Sequence, residues 1–117
     1  MSLEDETVRL RHMRDAAQAA LTFVRAKLRN DLDADLMLQY ALTRAIEIIG
    51  EASTNISEVS QKSHPEIPWP QIKGMRNRLI HGYDRVDLDF LWATAADDLV
   101  PLISAIDAWI GLPPAVP

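Results

Sequence analysis

Cysteine is absent from this chain of 117 residues. That excludes disulfide staples and thiolate metal sites, and it fits a reducing compartment. No stretch approaches the roughly eighteen consecutive apolar residues of a membrane span. The N-terminus, with Glu4, Asp5 and Glu6, lacks the basic-then-apolar order of a secretory signal. The expected location is therefore the cytoplasm, with no membrane partner. No set of His, Asp or Glu residues has a recognisable ligand spacing, so neither a metal nor a cofactor is expected. Excess positive charge is also missing. The formal net charge is −5, which argues against a general nucleic-acid binder, because phosphate contacts supply most non-specific affinity. There are no repeats and no low-complexity blocks. The length suits one domain, residues 1–117, with a single core.

What the chain does have is helical periodicity. Residues 4–29 carry Leu10, Met13, Ala17, Leu21, Val24 and Leu28 at alternating three and four spacing, with Arg9, Arg11, Arg14, Asp15 and Arg25 mostly on other faces. Asn30, Asp31, Leu32 and Asp33 read as a turn and capping segment. A second helix is expected from about Ala34 to Val59, with a broad apolar stripe of Leu38, Ala41, Leu42, Ala45, Ile48, Ile49, Ala52 and Ile56. Such breadth predicts contact on two sides: one with the first helix, the other with the last helix or a second subunit. From Ser60 to Pro70 polar residues and three prolines interrupt the pattern, with Ile67 and Trp69 available to order the connection by packing. A short helix follows, opened by Trp69 and Pro70. Asp87 is a plausible N-cap for a last helix to about Ile110, along which Leu88, Leu91, Ala95, Leu99, Leu102 and Ile106 recur at helical spacing. Pro101 falls inside that pattern and should kink it. Residues 111–117 should fray. The fold class expected is all-α: an antiparallel bundle of about four helices, the last one kinked.

The short third helix carries the chemistry. Between Lys73 and Tyr83 the chain gathers a histidine, two arginines, an amide and a phenol. Ile72, Met75 and Leu79 give the segment a buried face. At about 100° per residue, Asn77 and His81 share another face, Arg78 lies beside them, and Arg76 is about 140° round from His81. Arg76 must therefore reach round, or the last turn must loosen, for the two to act on one group. Carbonyls at a helix end favour the imidazolium of His81 and nearby arginines disfavour it, so this residue can both accept and donate a proton near neutral pH. A guanidinium fork matches a phosphate, and an imidazole beside it can take a proton from a ribose hydroxyl. The surroundings agree. From Lys62 to Arg85 there are five Lys or Arg and two Asp or Glu, a local +3 that leaves −8 for the remainder. Such a patch suits a selective RNA contact or an acidic partner surface, and a solvated helix face is the plainer alternative. Plainer roles also exist for each residue. Arg76 can pair with Glu51 across the bundle, Asn77 can bond a backbone carbonyl, Arg78 can be a solvated charge, and Tyr83 can be a half-buried aromatic with a wet hydroxyl. His12 and His64 lie far from this stretch and earn no role from sequence.

Arg76, four residues, His81, one residue and Tyr83 resemble the signature of the HEPN superfamily, specifically its HepT-like toxins, which pair with MNT nucleotidyltransferase-like antitoxins. Residues 45–52, 67–77 and 86–92 also resemble family segments, so the likeness runs from about Leu38 to about Leu102. The resemblance implies a helical bundle, and a homodimer that brings two signature segments into one cleft. It implies a metal-independent endoribonuclease acting on RNA, with Arg76 and His81 catalytic, Asn77 supporting them and Glu51 a candidate orienting carboxylate. It further implies silencing by adenylylation of Tyr83 by the cognate antitoxin. The alternative is a non-catalytic dimerising or nucleotide-binding partner of a nucleotidyltransferase, which the acidic body would suit.

Overall fold

The computed structural model describes residues 3–79 and 86–111, and the side chains of 6–75, 77–79 and 86–111. All elements among them are helical. In order these are α1 (Leu3–Val24), α2 (Arg29–Ala34), α3 (Leu36–Ser53), α4 (Glu58–Ser63), α5 (Trp69–Leu79), α6 (Leu88–Ala93), a π-helical turn (Thr94–Asp98) and α7 (Leu99–Ile110). The four helices expected from the periodicity are α1, α3, α5 and the α6–α7 pair; two short helices occupy stretches that read as connections. Among the described residues no helix is long and apolar enough to cross a membrane.

One core joins these elements. Leu10, Met13 and Ala17 of α1 meet Leu42, Ala45, Ile46 and Ile49 of α3, all buried, and Ile72, Met75 and Leu79 of α5 close one flank while Leu91, Leu99, Leu102 and Ile106 close another. α1 and α3 run antiparallel, as the contact of Glu6 near the start of α1 with Ser57 just beyond α3 shows. On the far side Arg14 of α1 donates through Nε and a guanidinium N–H to the carboxylate of Asp107 on α7. Asp107 is buried, so the pair fixes the register of α7 on α1 rather than adding bulk stability.

Helix ends differ from the sequence expectation for local reasons. α1 stops at Val24 rather than near residue 29, because Ala26 adopts a left-handed φ of 61°. Leu28 is consequently 69% exposed instead of core. Residues 30–33, expected to be a turn and capping segment, lie inside α2 (Arg29–Ala34), since burying Leu32 holds one helical turn in place. Asp31 accepts from the Leu28 N–H at 2.6 Å, and Asp35 caps α3 by accepting from the Leu38 N–H at 3.0 Å. α3 ends at Ser53, short of Val59. There the Ser53 and Thr54 hydroxyls donate to the carbonyls of Gly50 and Glu51, both at 2.7 Å, in competition with continued helix. Ser57 then caps α4.

The expected interruption of the last helix takes the form of the π-helical turn at Thr94–Asp98. Pro101 is the third residue of α7. It has no N–H to offer the carbonyl four residues back, that of Asp97, and its ring crowds that oxygen. Widening the turn just upstream accommodates both effects. Gly111, at φ 75°, terminates α7, as its position after the periodic run suggested.

Ile67 and Trp69 are buried, as expected of the connection before α5. Trp69 donates its indole N–H to the His64 carbonyl at 3.1 Å and meets Trp109 of α7 edge-on. His64 stacks on Trp109 with ring centres 3.6 Å apart. This aromatic group docks the start of α5 on the end of α7.

Glu6 supplies a pH test of the bundle. Its two oxygens accept from the Ser57 N–H at 2.7 Å and the Ser60 hydroxyl at 2.6 Å. The Ser57 side chain, then the Ser60 hydroxyl and the Ser57 N–H, hold its carboxyl below its ordinary value against the opposing effect of burial. A carboxyl lowered in the folded state contributes stability above its unfolded pKa and loses it as pH falls through the folded value. Urea midpoints should therefore show wild type more stable than Glu6→Gln at pH 7, with the gap closing below about pH 4.5.

Candidate active site

α5 is the platform. Its apolar face, Ile72, Met75 and Leu79, is buried, and its approach to α3 is close. A Cβ built on Gly50 would lie 3.4 Å from the Ile72 carbonyl oxygen. A side chain larger than a methyl at position 50 would push α5 off α3. Thr54 and Ile56, at the C-terminal end of α3, share a groove with Trp69, Pro70 and Lys73 at the start of α5. α5 therefore runs back along α3, and Asn77 and Arg78 lie toward the middle of the bundle.

Among the expected site residues, Asn77 is exposed on α5. Arg78 is exposed as well, with its guanidinium carbon 4.2 Å from the centre of the Phe90 ring in α6. That stacking gives Arg78 a fixed place, where the sequence offered only a choice between a phosphate contact and a solvated charge. Arg76 lies in α5 by its backbone, and its side chain is outside the described residues, as are His81 and Tyr83. Glu51 is half exposed and pairs loosely with Arg44 of its own helix at 3.6 Å, the partner the structure records for it. Lys73 donates to Gln61 at 3.0 Å.

The segment that bears His81 and Tyr83 is anchored at its base. The Asp87 N–H donates to the Leu79 carbonyl at 2.7 Å, so the chain leaves α5 and re-enters the bundle at one point. Asp87 then caps α6, as expected, by accepting from the Phe90 N–H at 2.9 Å. Together with the Arg78–Phe90 contact this joins the end of α5 to the start of α6.

Two further depressions bear on the chemistry. A pocket of about 390 Å³ between α5 and α7 is lined by Ile67, Ile72, Met75 and Leu102, with Asp97 and Asp98 beside them. Burial, then the neighbouring Asp97, pushes the Asp98 carboxyl up. This acidic rim suits no phosphate. A smaller pocket of about 240 Å³ between α1 and α3 includes Arg9, His12, Arg44, Glu51 and Asn55. Sequence reasoning gave His12 no role, because its neighbours here are distant in the chain. Among the described residues no group of three His, Asp or Glu side chains could hold a metal ion.

The all-α bundle, with short α5 lying against α3 and Leu79 bonded to Asp87 ahead of α6, is consistent with the HEPN class. Within that class the chain belongs to the HepT-like ribonuclease family, whose model matches residues 13–109. Curated relatives agree. The chain is 41% identical over 93 residues to the probable ribonuclease HepT of Thermococcus cleftensis, covering 80% of this chain and 84% of that one. It is 34% identical over 99 residues to a candidate RNase of Methanocaldococcus jannaschii, covering 85% and 91%. To a candidate RNase of Caldanaerobacter subterraneus subsp. tengcongensis it is 32% identical over 93 residues, covering 80% and 83%. No solved structure was found to match the chain.

The cap at Asp87 is testable. Asp87→Ala removes an N-cap and should lower the urea stability by about 1 kcal/mol. RNA cleavage should fall at temperatures where the variant remains folded, because the start of α6, where Phe90 holds Arg78 of α5, loosens. Asp87→Asn, which can still cap, should restore most of both.

Proposed function

We propose that this chain is a metal-independent endoribonuclease toxin whose active groups are Arg76 and His81, kept silent by adenylylation of Tyr83. The observation that carries this reading is that the match to the HepT-like ribonuclease family runs through residues 76–83. The exposed cationic side of α5 and the clip between Leu79 and Asp87 support it.

In this mechanism His81 takes the proton of a ribose 2′-hydroxyl, and the resulting 2′-oxygen attacks the adjacent phosphorus. Arg76 binds the non-bridging oxygens and stabilises the charge that grows on them in the pentacovalent transition state. The P–O5′ bond breaks, and the leaving oxygen takes up a proton from the imidazolium or from water. The products are a 2′,3′-cyclic phosphate and a 5′-hydroxyl. No metal takes part. Asn77, exposed on α5, helps place the substrate or the catalytic pair. Two copies supply one cleft, so that two local +3 patches face the same RNA and offset the acidic bodies.

Silencing acts on the same groups. An MNT-type nucleotidyltransferase antitoxin transfers AMP from ATP to the Tyr83 hydroxyl, releasing pyrophosphate. The added phosphate competes for Arg76, and the added base fills space that RNA needs.

Purified unmodified protein, incubated with total RNA and with transfer RNA in EDTA, should give fragments with cyclic-phosphate ends. His81→Ala and Arg76→Ala should each lower the rate by at least about 100-fold. Absence of cleavage, or equal cleavage by the variants, would move the chain to the role of a non-catalytic partner of a nucleotidyltransferase. Co-expression with an adjacent nucleotidyltransferase should add the mass of one AMP residue to wild type and none to Tyr83→Phe. Tyr83→Phe should stay toxic under co-expression, and its inactivity in the absence of any antitoxin would contradict the assignment.

A further inference from the structure

We propose that the pocket between α1 and α3 is a second phosphate subsite, in which Arg9, His12 and Arg44 hold the RNA backbone away from the cleaved bond. The proposal rests on the ribonuclease reading above and adds to it the path of the substrate.

Three observations carry it. First, three basic side chains from two helices converge on one pocket in a chain whose net charge is −5. Second, these groups have donors to spare. The Nε of Arg9 has no acceptor among the described residues, and an unpaired donor favours an arrangement in which an incoming oxygen completes it. Arg44 is 63% exposed and its single recorded ion pair is the loose one with Glu51 at 3.6 Å, worth little in water. By formal charge Arg44 offsets Glu51 in the pocket lining, and Arg9 leaves that lining positive. A guanidinium fork is the side-chain group best matched to two oxygens of a phosphodiester.

Third, the pocket is not isolated. Asn55 lines it, and the adjacent Thr54 lines the groove of about 780 Å³ beside α5 that carries Lys73 and Lys62, the latter paired with Glu58 at 3.2 Å. Both depressions thus take lining residues from the C-terminal end of α3. A strand that passes the signature helix can follow Lys73 and Lys62 round this end and place a further phosphate against Arg9 and Arg44. A polymer suits such a divided basic track better than a free anion does, since single-strand binders follow the backbone along a positive groove. The acidic pocket between α5 and α7 turns the strand away from the opposite side.

The test compares a dinucleotide that spans the cleaved bond with a longer oligonucleotide centred on the same bond. Arg9→Gln and Arg44→Gln should each raise the KM for the long substrate about fivefold, with kcat retained, and leave kcat/KM for the dinucleotide unchanged. The slope of log affinity against log salt for the long RNA should fall by about 0.7 in each variant. Arg9→Lys should recover most of the salt slope. Equal losses on both substrates, or none on the long one, would overturn the subsite. Binding of the same long RNA by His81→Ala, read by fluorescence anisotropy with and without Arg9→Gln, separates the two claims. If wild type cuts nothing, the ribonuclease reading fails, while a salt-dependent loss of binding in Arg9→Gln still upholds the phosphate site. A melting temperature that drops together with binding for Arg9→Gln, with Arg9→Lys failing to recover the latter, would count against it.

Discussion

Helix α3 has to be covered on two sides at once, and that constraint organises the chain. Its Leu42, Ala45, Ile46 and Ile49 are buried in the core shared with α1, and Gly50 faces the Ile72 carbonyl of α5. Gly50 is the point of closest approach, where the Ile72 carbonyl of α5 comes near enough that a side chain larger than a methyl would intervene. α5 is only 11 residues long, below the length at which an isolated helix holds in water. It exists because it is pressed into this groove, and its cationic side faces outward as a result. The docking of Trp69 and His64 on Trp109 fixes its start. The bond from Asp87 to Leu79 and the Arg78–Phe90 contact fix its end.

The same arrangement separates charge. Acidic side chains dominate the body of the molecule, and the pocket between α5 and α7 is rimmed by Asp97 and Asp98. Part of the basic charge sits on and around α5 and, through antiparallel packing of α1 on α3, in the small pocket of Arg9 and Arg44. A chain with net negative charge can thus present a positive track of limited width. That favours a defined RNA contact over indiscriminate adhesion, because the repulsive remainder penalises any other orientation.

Much of the fold was legible because burial imposes its period on the residues. The stripes Leu10–Met13–Ala17 and Leu91–Ala95–Leu99–Leu102–Ile106 read directly as core faces, and all are buried. Asp87 was legible as a cap because its side chain acts on its own neighbours. The end of α1 was not, since Ala26 favours helix and nothing in its type announces a left-handed φ. Nor was the break after Ser53, where serine and threonine hydroxyls bond the last carbonyls in a way that composition does not reveal. Pro101 announced a disturbance in the last helix but not its form as a π-helical turn one turn upstream. The candidate site divides in the same way. Arg76, Asn77, His81 and Tyr83 were readable because they lie within eight residues of one another. The grouping of Arg9, His12 and Arg44 was invisible because it depends on the register between two helices. Glu51 is recorded with Arg44, and the Arg76 side chain, weighed as its partner, lies outside the described residues.

The central claim is that the ribose itself supplies the nucleophile, with His81 taking its proton and Arg76 holding the phosphate. The most direct measurement replaces the single 2′-hydroxyl at a mapped cleavage position with hydrogen and follows cutting at that bond in EDTA. The account predicts that cleavage there ceases while binding of the substituted RNA is unchanged. Continued cutting at the deoxy position would show that water or another group attacks the phosphorus, and would contradict the mechanism.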